Sequence, residues 1–412
     1  MGRVEGMKRL IAVVMVSAAA FGCSADSRVA REWAGTVYDS AGVTVVANPV
    51  AGLWTEASAW TLEEDLRIGV VDGDPMREFG FIADLAVDDA GRIYVLDSMA
   101  REIRVFGPDG QFASAFGQSG SGPGELNSPS AVLLGRGDTI LVPDVPNGRV
   151  QRFLTAGSPA GQFPLQLARG FPVSWATRDG LLLEELRPHP SSTSGEAPPA
   201  LVLLRDGGGL VVDTLLEMEE SGALEYRNGM ARMVAFSPEP RWTLLEDGRL
   251  ASGRLSAYRL EIRDRNGCLE RVVTKSFERR PLRDSDRRAL RERIRESYGR
   301  GPLSAEREHM IHTMEFGTHF PAFASLFGGP DGTLWVQQAL QVSSFEPDEM
   351  AGFGLHAIAA PEYDILDREG RYLGTMTPPR GFDPMMARGE HLYGVQRDDL
   401  EVQYVVRLRV VR

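Results

Sequence analysis

Apolar and polar positions alternate along this chain in short runs of roughly four to eight residues, the pattern of half-buried strands rather than helices. The clearest stretch predicts strands at Ile82–Val87, Arg92–Asp97, Glu102–Phe106 and Gln111–Phe116. Turn residues punctuate them: Asp88-Asp89-Ala90-Gly91 before the second strand and Pro108-Asp109-Gly110 before the fourth. The same order returns 47 residues later, so that Asp97 falls on Asp144, Ile93 on Ile140, Val95 on Val142, Ile103 on Val150 and Phe106 on Phe153. This second unit gives strands at Ser130–Leu134, Thr139–Val142, Arg149–Leu154 and Gln162–Leu167. Self-similarity at such a period marks a repeat architecture.

Fainter copies follow at Phe171–Glu217 and Ala231–Phe277. A fifth runs from Phe320 through Asp331-Gly332 and Glu369-Gly370, and a sixth carries Pro384–Ala387, His391–Val395 and Val402–Val410. Four antiparallel strands per repeat describe the blade of a β-propeller. The sixth unit ends before a fourth strand, while Trp60–Val70 near the other end belongs to no unit. Pairing the two closes the ring and hides both edges. The expected fold is therefore all-β: a six-bladed β-propeller of four-stranded antiparallel blades over residues 60–412, with an N-terminal strand closing the last blade. A seventh blade built partly from the hairpin Thr36–Val46 is the alternative.

Between the fourth and fifth units, residues 281–316 break the β pattern. Asp284 or Ser285 is placed to cap a helix carrying Leu290 and Ile294 at i, i+4, with Gly299 to close it. Ser304 is placed to cap a second helix reaching about Glu315. This helical insertion is expected on one face of the propeller, as a lid over the channel or as a packing or partner-binding ledge.

Composition adds limits. In 412 residues, 43% are hydrophobic and 25% charged, as in a globular protein, and 45 Gly and 25 Pro supply the turns. The net charge of −12 leaves no basic excess for a nucleic-acid partner. Two cysteines, Cys23 and Cys268, imply no disulfide framework. The first of them belongs to an address: Met7-Lys8-Arg9, the apolar run LIAVVMVSAAAFG, then Cys23 followed by polar residues. That layout resembles a bacterial lipoprotein signal, with Ala20-Phe21-Gly22 ahead of the cysteine where Leu is usual three residues before it. The resemblance implies a signal peptide over residues 1–22, lipidation of Cys23, and location in the bacterial cell envelope, on the periplasmic side of a membrane or at the cell surface. Residues 23–59 then read as a tether and N-terminal hairpin.

The run GQSGSGPGELNSPSAV followed by ILVPDVPNGRVQRF resembles the NHL repeat, with Asp144, Asn147, Arg149, Val150 and Phe153 on its motif positions. The earlier copy keeps Asp97, Ile103 and Phe106 but has Ala100 and Glu102 at the Asn and Arg positions. The whole resembles six-bladed propeller lipoproteins of bacteria. Some six-bladed relatives are lyases, lactonases or sugar dehydrogenases, while many NHL propellers are recognition modules, so the resemblance implies fold rather than activity.

Candidate chemistry is sparse. Asp97 and Asp144 end second strands, where an Asp bonds turn amides more readily than it ligates a cation. Phe171, Trp175, Phe320 and Phe382 recur near the starts of inner strands, as candidates for an aromatic channel mouth or as inter-blade packing. Arg287, Arg288 and Arg291 on the first predicted helix are candidate anion-binding residues. His309 and His312, at i, i+3, with His319 beyond, form the one metal-like spacing, for a divalent ion. No catalytic residue is assigned, and no nucleophile elbow, P-loop or dinucleotide fingerprint is present. The expected role is recognition of an envelope protein, peptide or glycan. A metal-assisted lactonase, lyase or hydrolase is the runner-up, and a scaffold lipoprotein the third reading.

Overall fold

The computed structural model describes residues 32–189, 198–219, 224–227, 230–297, 301–340 and 357–412. Cys23, the segment expected to be a signal peptide and Gly299 lie outside the described residues. The chain forms a six-bladed β-propeller. Blade 1 spans Ile82–Phe116 and blade 2 Leu133–Pro164, each a four-stranded antiparallel sheet in chain order. Blades 3 and 5, Gly170–Met218 and Ser325–Met376, repeat that order.

Closure follows the expectation. Thr61–Ile68 pairs antiparallel with Gln403–Val411, from Thr61 opposite Val411 to Ile68 opposite Val405, as the outer strand of blade 6. Ile68 is fully buried among Ile82, Val95, Phe106 and Val395, so the closing strand also fills the seam to blade 1.

Blade 4 departs from the pattern. Its inner strand is Pro240–Leu244 rather than a segment starting at Ala231. Met230–Ala235 instead forms a hairpin with Leu224–Arg227 and pairs parallel with Glu315–Phe316 at the end of the insertion. The hairpin Thr36–Ser40 and Val43–Asn48 makes no seventh blade. It extends blade 4 to six strands, Val43–Asn48 running parallel to the outer strand Leu269–Lys275. The reason is burial: Val46 joins Leu260, Val273 and Leu366 in the core between blades 4 and 5.

The matching aspartates of the two strongest repeats are scaffold. Asp97, fully buried, accepts from the N–H groups of Gly80 (2.8 Å), Phe81 (3.2 Å) and Ala100 (3.0 Å). Asp144 does the same for Asn127 (2.9 Å) and Ser128 (3.0 Å), and takes a bond from the Asn147 amide (2.7 Å). Each carboxylate satisfies amides that enter its blade's first strand, which a buried loop end requires. Arg149 pins the glycine-rich loop by donating to the carbonyls of Ser121, Gly122 and Glu125. Gly91, at φ 78°, occupies the left-handed position that the Asp88 turn needs.

The insertion holds two helices, α1 (Asp284–Ser297) and α2 (Ala305–Thr313). Ser304 caps α2 through the N–H of Arg307. For α1 the cap differs from either expected residue: buried Asp286 reaches back to the N–H of Arg283 at 3.0 Å, one half of a capping box. Leu290 and Ile294 are buried with Ile311, Met314 and Phe320 against Ala235, Phe236 and Ile358. The insertion thus sits on a small core of its own, seated on the approach to blade 4 and on blade 5.

Candidate functional site

In a propeller of this order, two sets of connections leave from one face: those from fourth strand to next blade and those from second strand to third. We call this the loop face. The insertion lies there, and inner strands start there. Around the axis the inner strands of blades 6, 1, 2 and 3 abut in turn, as do those of blades 4, 5 and 6. Between blades 3 and 4 side chains bridge the seam instead.

That bridge is a polar cluster of six residues. From blade 3 come Ser174 on the inner strand and Glu185 and Arg187 on the second strand, Leu181–Pro188. From blade 4 come Glu239, Arg241 and Trp242 at the start of the inner strand. Glu185 accepts from the Ser174 hydroxyl (2.8 Å), the Trp242 indole N–H (2.9 Å) and Arg187 Nε (3.3 Å). Glu239 accepts two bonds from Arg187, both 3.4 Å, and one from Arg241 Nη1 at 3.2 Å. A β-bulge at Val173 sets the register that puts Ser174 opposite Glu185 and Phe171 opposite Arg187.

The charges in this cluster are sorted by depth. The side chains of Glu185 and Glu239 are 8% and 5% exposed, those of Arg187 and Arg241 26% and 25%. Above them at the mouth stand Phe171, 62% exposed, and Val173, 47% exposed. Phe171 rests edge-on against His189, ring centroids 4.6 Å apart.

Two further carboxyls lie on inner strands across the ring from this seam, in blades 1 and 6. Asp84 of blade 1 accepts from the N–H of Val132 of blade 2 at 2.9 Å, and burial pushes its carboxyl up to about 7. Protein surrounds that carboxyl, while the residue as a whole is half-buried. Asp383 of blade 6 is also raised by burial, with Arg397 opposing the shift.

The residues singled out from sequence scatter. Phe171 stands in the mouth and Trp175 packs half-buried with Leu141, Phe163 and Leu182. Phe320 and Phe382 are buried, Phe320 under Arg280 and against Phe236, Phe382 between blades 5 and 6. Those two are therefore packing residues and offer no surface at the mouth. On α1, Arg287 pairs with Asp284, Arg288 is exposed, and Arg291 donates to the carbonyl of Met314 at 2.8 Å while covering Phe316. They form no common anion pocket, since Arg291 is spent joining the helix to the strand that follows. His309 and His312 are exposed on α2, and His319 Nδ1 lies 2.9 Å from Thr318 Oγ1. Among the described residues no three His, Cys, Asp or Glu side chains come together to hold a metal ion.

The cluster at the seam escaped the sequence pattern but for one signal. A second strand should be apolar, as in Ile93–Asp97, yet Leu181–Pro188 reads LLLEELRP, with polar residues at 185 and 187 on one face.

A family described as a six-bladed β-propeller matches residues 77–163. Among solved structures, a Bacteroides fragilis protein provisionally named as exported is similar at 13% identity, with 89% of this chain and 100% of that one covered and a TM-score of 0.53. A member of the DUF4221 family from Bacteroides vulgatus is similar at 12% identity, over 85% of this chain and 98% of that one, with a TM-score of 0.51. Virginiamycin B lyase of Staphylococcus aureus is more distant, at 9% identity and a TM-score of 0.43 over 86% of this chain and 100% of that one. No curated protein matches the chain in sequence. At these identities the likeness is one of fold.

Proposed function

We propose that this propeller is a recognition module of the bacterial cell envelope, lipid-anchored through Cys23, which binds a peptide, protein or glycan at the loop-face mouth between blades 3 and 4. The observation that carries this reading is the completed polar network beneath an exposed aromatic. Glu185 and Glu239 accept bonds from Ser174, Trp242, Arg187 and Arg241, so their oxygens are turned inward and held. A general acid or base needs an oxygen facing its substrate. What faces outward is a surface of guanidinium, imidazole and phenyl groups, and Arg and Phe are among the residue types enriched where proteins bind partners.

The full chain, purified in detergent and labelled, is expected to bind members of an array of short peptides and cell-wall glycan fragments. A Phe171→Ser/His189→Ser variant, altered only at exposed positions, is expected to lose at least about tenfold in affinity for them, in the range of an aromatic anchor. An array that captures nothing, or capture indifferent to the two substitutions, rejects the mouth as the binding surface. The address rests on the basic, apolar and cysteine order of Met7–Cys23. A Cys23→Ser form is expected in the soluble fraction, and unchanged membrane association rejects the anchor.

A further inference from the structure

We infer that the ligand group this mouth takes is a carboxylate with an apolar side group beside it, such as the free C-terminal end of a peptide whose last residue is apolar. The inference rests on the recognition reading above and narrows it.

Its first ground is the sorting of charge. Among the described residues the cluster sets two guanidiniums against two carboxylates, and the two signs lie at different depths. Glu185 and Glu239 are nearly closed off from solvent, whereas Arg187 and Arg241 keep about a quarter of their side chains exposed at the mouth. An arriving group meets the positive face, and the buried carboxylates hold the two guanidiniums in place from behind. Planar guanidiniums fixed in this way match the two oxygens of a carboxylate and gain strength where water is scarce.

The second ground is independent of charge. Phe171 and Val173 leave most or nearly half of their surface in water at the same mouth, on the inner strand that carries Ser174. Phe171 lies opposite Arg187 in the strand register, so an apolar surface and a guanidinium are cross-strand neighbours. A group that places an apolar side chain one or two bonds from a carboxylate uses both at once. A sugar hydroxyl array would bring no negative charge of its own to the guanidiniums.

Titration calorimetry on the full chain in detergent tests this with four probes: acetyl-Gly-Gly-Phe as free acid, the same peptide as its C-terminal amide, acetyl-Gly-Gly-Gly as free acid, and acetyl-phenylalanine. The Phe acid is expected to bind at least about tenfold more tightly than its amide, as one lost charge-assisted contact implies. Phe171→Ser is expected to bring the Phe acid down to the level of the Gly acid. Arg241→Gln is expected to weaken both acids and leave the amide unchanged. The proposal is overturned if the amide equals the acid, or if Phe and Gly ends bind alike in the parent protein. Because amidation changes only the ligand, that outcome is decisive even where an Arg variant fails to fold. Acetyl-phenylalanine binding as tightly as the tripeptide would make a small free acid the source of the group, and weaker binding a peptide end. Array capture through Phe171 and His189 without preference for the acid would sink the carboxylate while sparing recognition; silence in both experiments would sink both.

Discussion

A chain that begins at residue 73 is expected to lose cooperative folding. Removing Thr61–Ile68 strips the outer strand from blade 6, leaves Gln403–Val411 with an open edge, and empties the place of fully buried Ile68. Burying a residue of that kind is worth about 1.5–3 kcal/mol. The lost ladder and the exposed seam to blade 1 bring the total into the range of a domain's whole stability, about 5–15 kcal/mol. A chain beginning at residue 50 is the control, because it lacks only the hairpin added to blade 4 and keeps the closing strand. Thermal melts followed by circular dichroism should show a lowered but cooperative transition for the control. The shorter chain should show a broad or absent transition, together with aggregation through the open edge. A shorter chain that melts like the parent would falsify the closure.

The second large effect concerns Lys275, one of only two lysines in a chain with 45 basic residues. The other is Lys8, so from Arg9 onward Lys275 is the one lysine among arginines. Lys275 ends the outer strand of blade 4, where the chain departs into the insertion. Its ammonium sits 2.6 Å from Asp364 of blade 5 and 3.8 Å from the centre of the Tyr372 ring. Asp364 also accepts from Tyr258 (2.9 Å), Gln338 (2.9 Å), Tyr372 (3.2 Å) and Thr375 (3.2 Å). Burial first, then the Asp364 charge, holds the Tyr258 hydroxyl protonated far above its ordinary range, and the same causes push Tyr372 up to about 12. A compact ammonium fits this cage and a broad guanidinium does not. Lys275→Ala leaves Asp364 buried without its counter-charge and is expected to cost about 3–5 kcal/mol. Lys275→Arg should cost a substantial part of that, and Lys275→Ala/Asp364→Asn should recover part of it. Denaturant melts that place all three variants within experimental scatter of the parent would show that the pair does not hold the seam.

Much of the scaffold was legible in the sequence because its signals are local. Strand periodicity, the D-x-G turns and the spacing from Asp97 to Asp144 each depend on neighbours within one blade, and the orphan Trp60–Val70 stood out because a ring cannot leave an edge open. The helices of the insertion were legible for the same reason, from Leu290 and Ile294 spaced along one face. Phe320 and Phe382 show the limit. Their positions suggested a channel mouth, but whether an aromatic at the start of a strand faces a channel or a neighbouring element depends on what packs beside it, here Phe236 and blade 5.

The surface proposed for binding lies beyond that limit. Arg187 and Glu239 stand 52 positions apart and meet because blades 3 and 4 lie side by side, and Glu185 reaches Trp242 across the same seam. The sequence by itself determined the repeat, the closure, the insertion and the acidic balance, since each follows from short-range pattern or from composition. Only the tertiary structure decided that the N-terminal hairpin widens blade 4, that Asp97 and Asp144 serve the scaffold, and that buried glutamates stand behind half-buried arginines. The physical reason is that charge pairing and burial depend on distance in space, and adjacent blades bring together side chains whose separation along the chain carries no periodic mark.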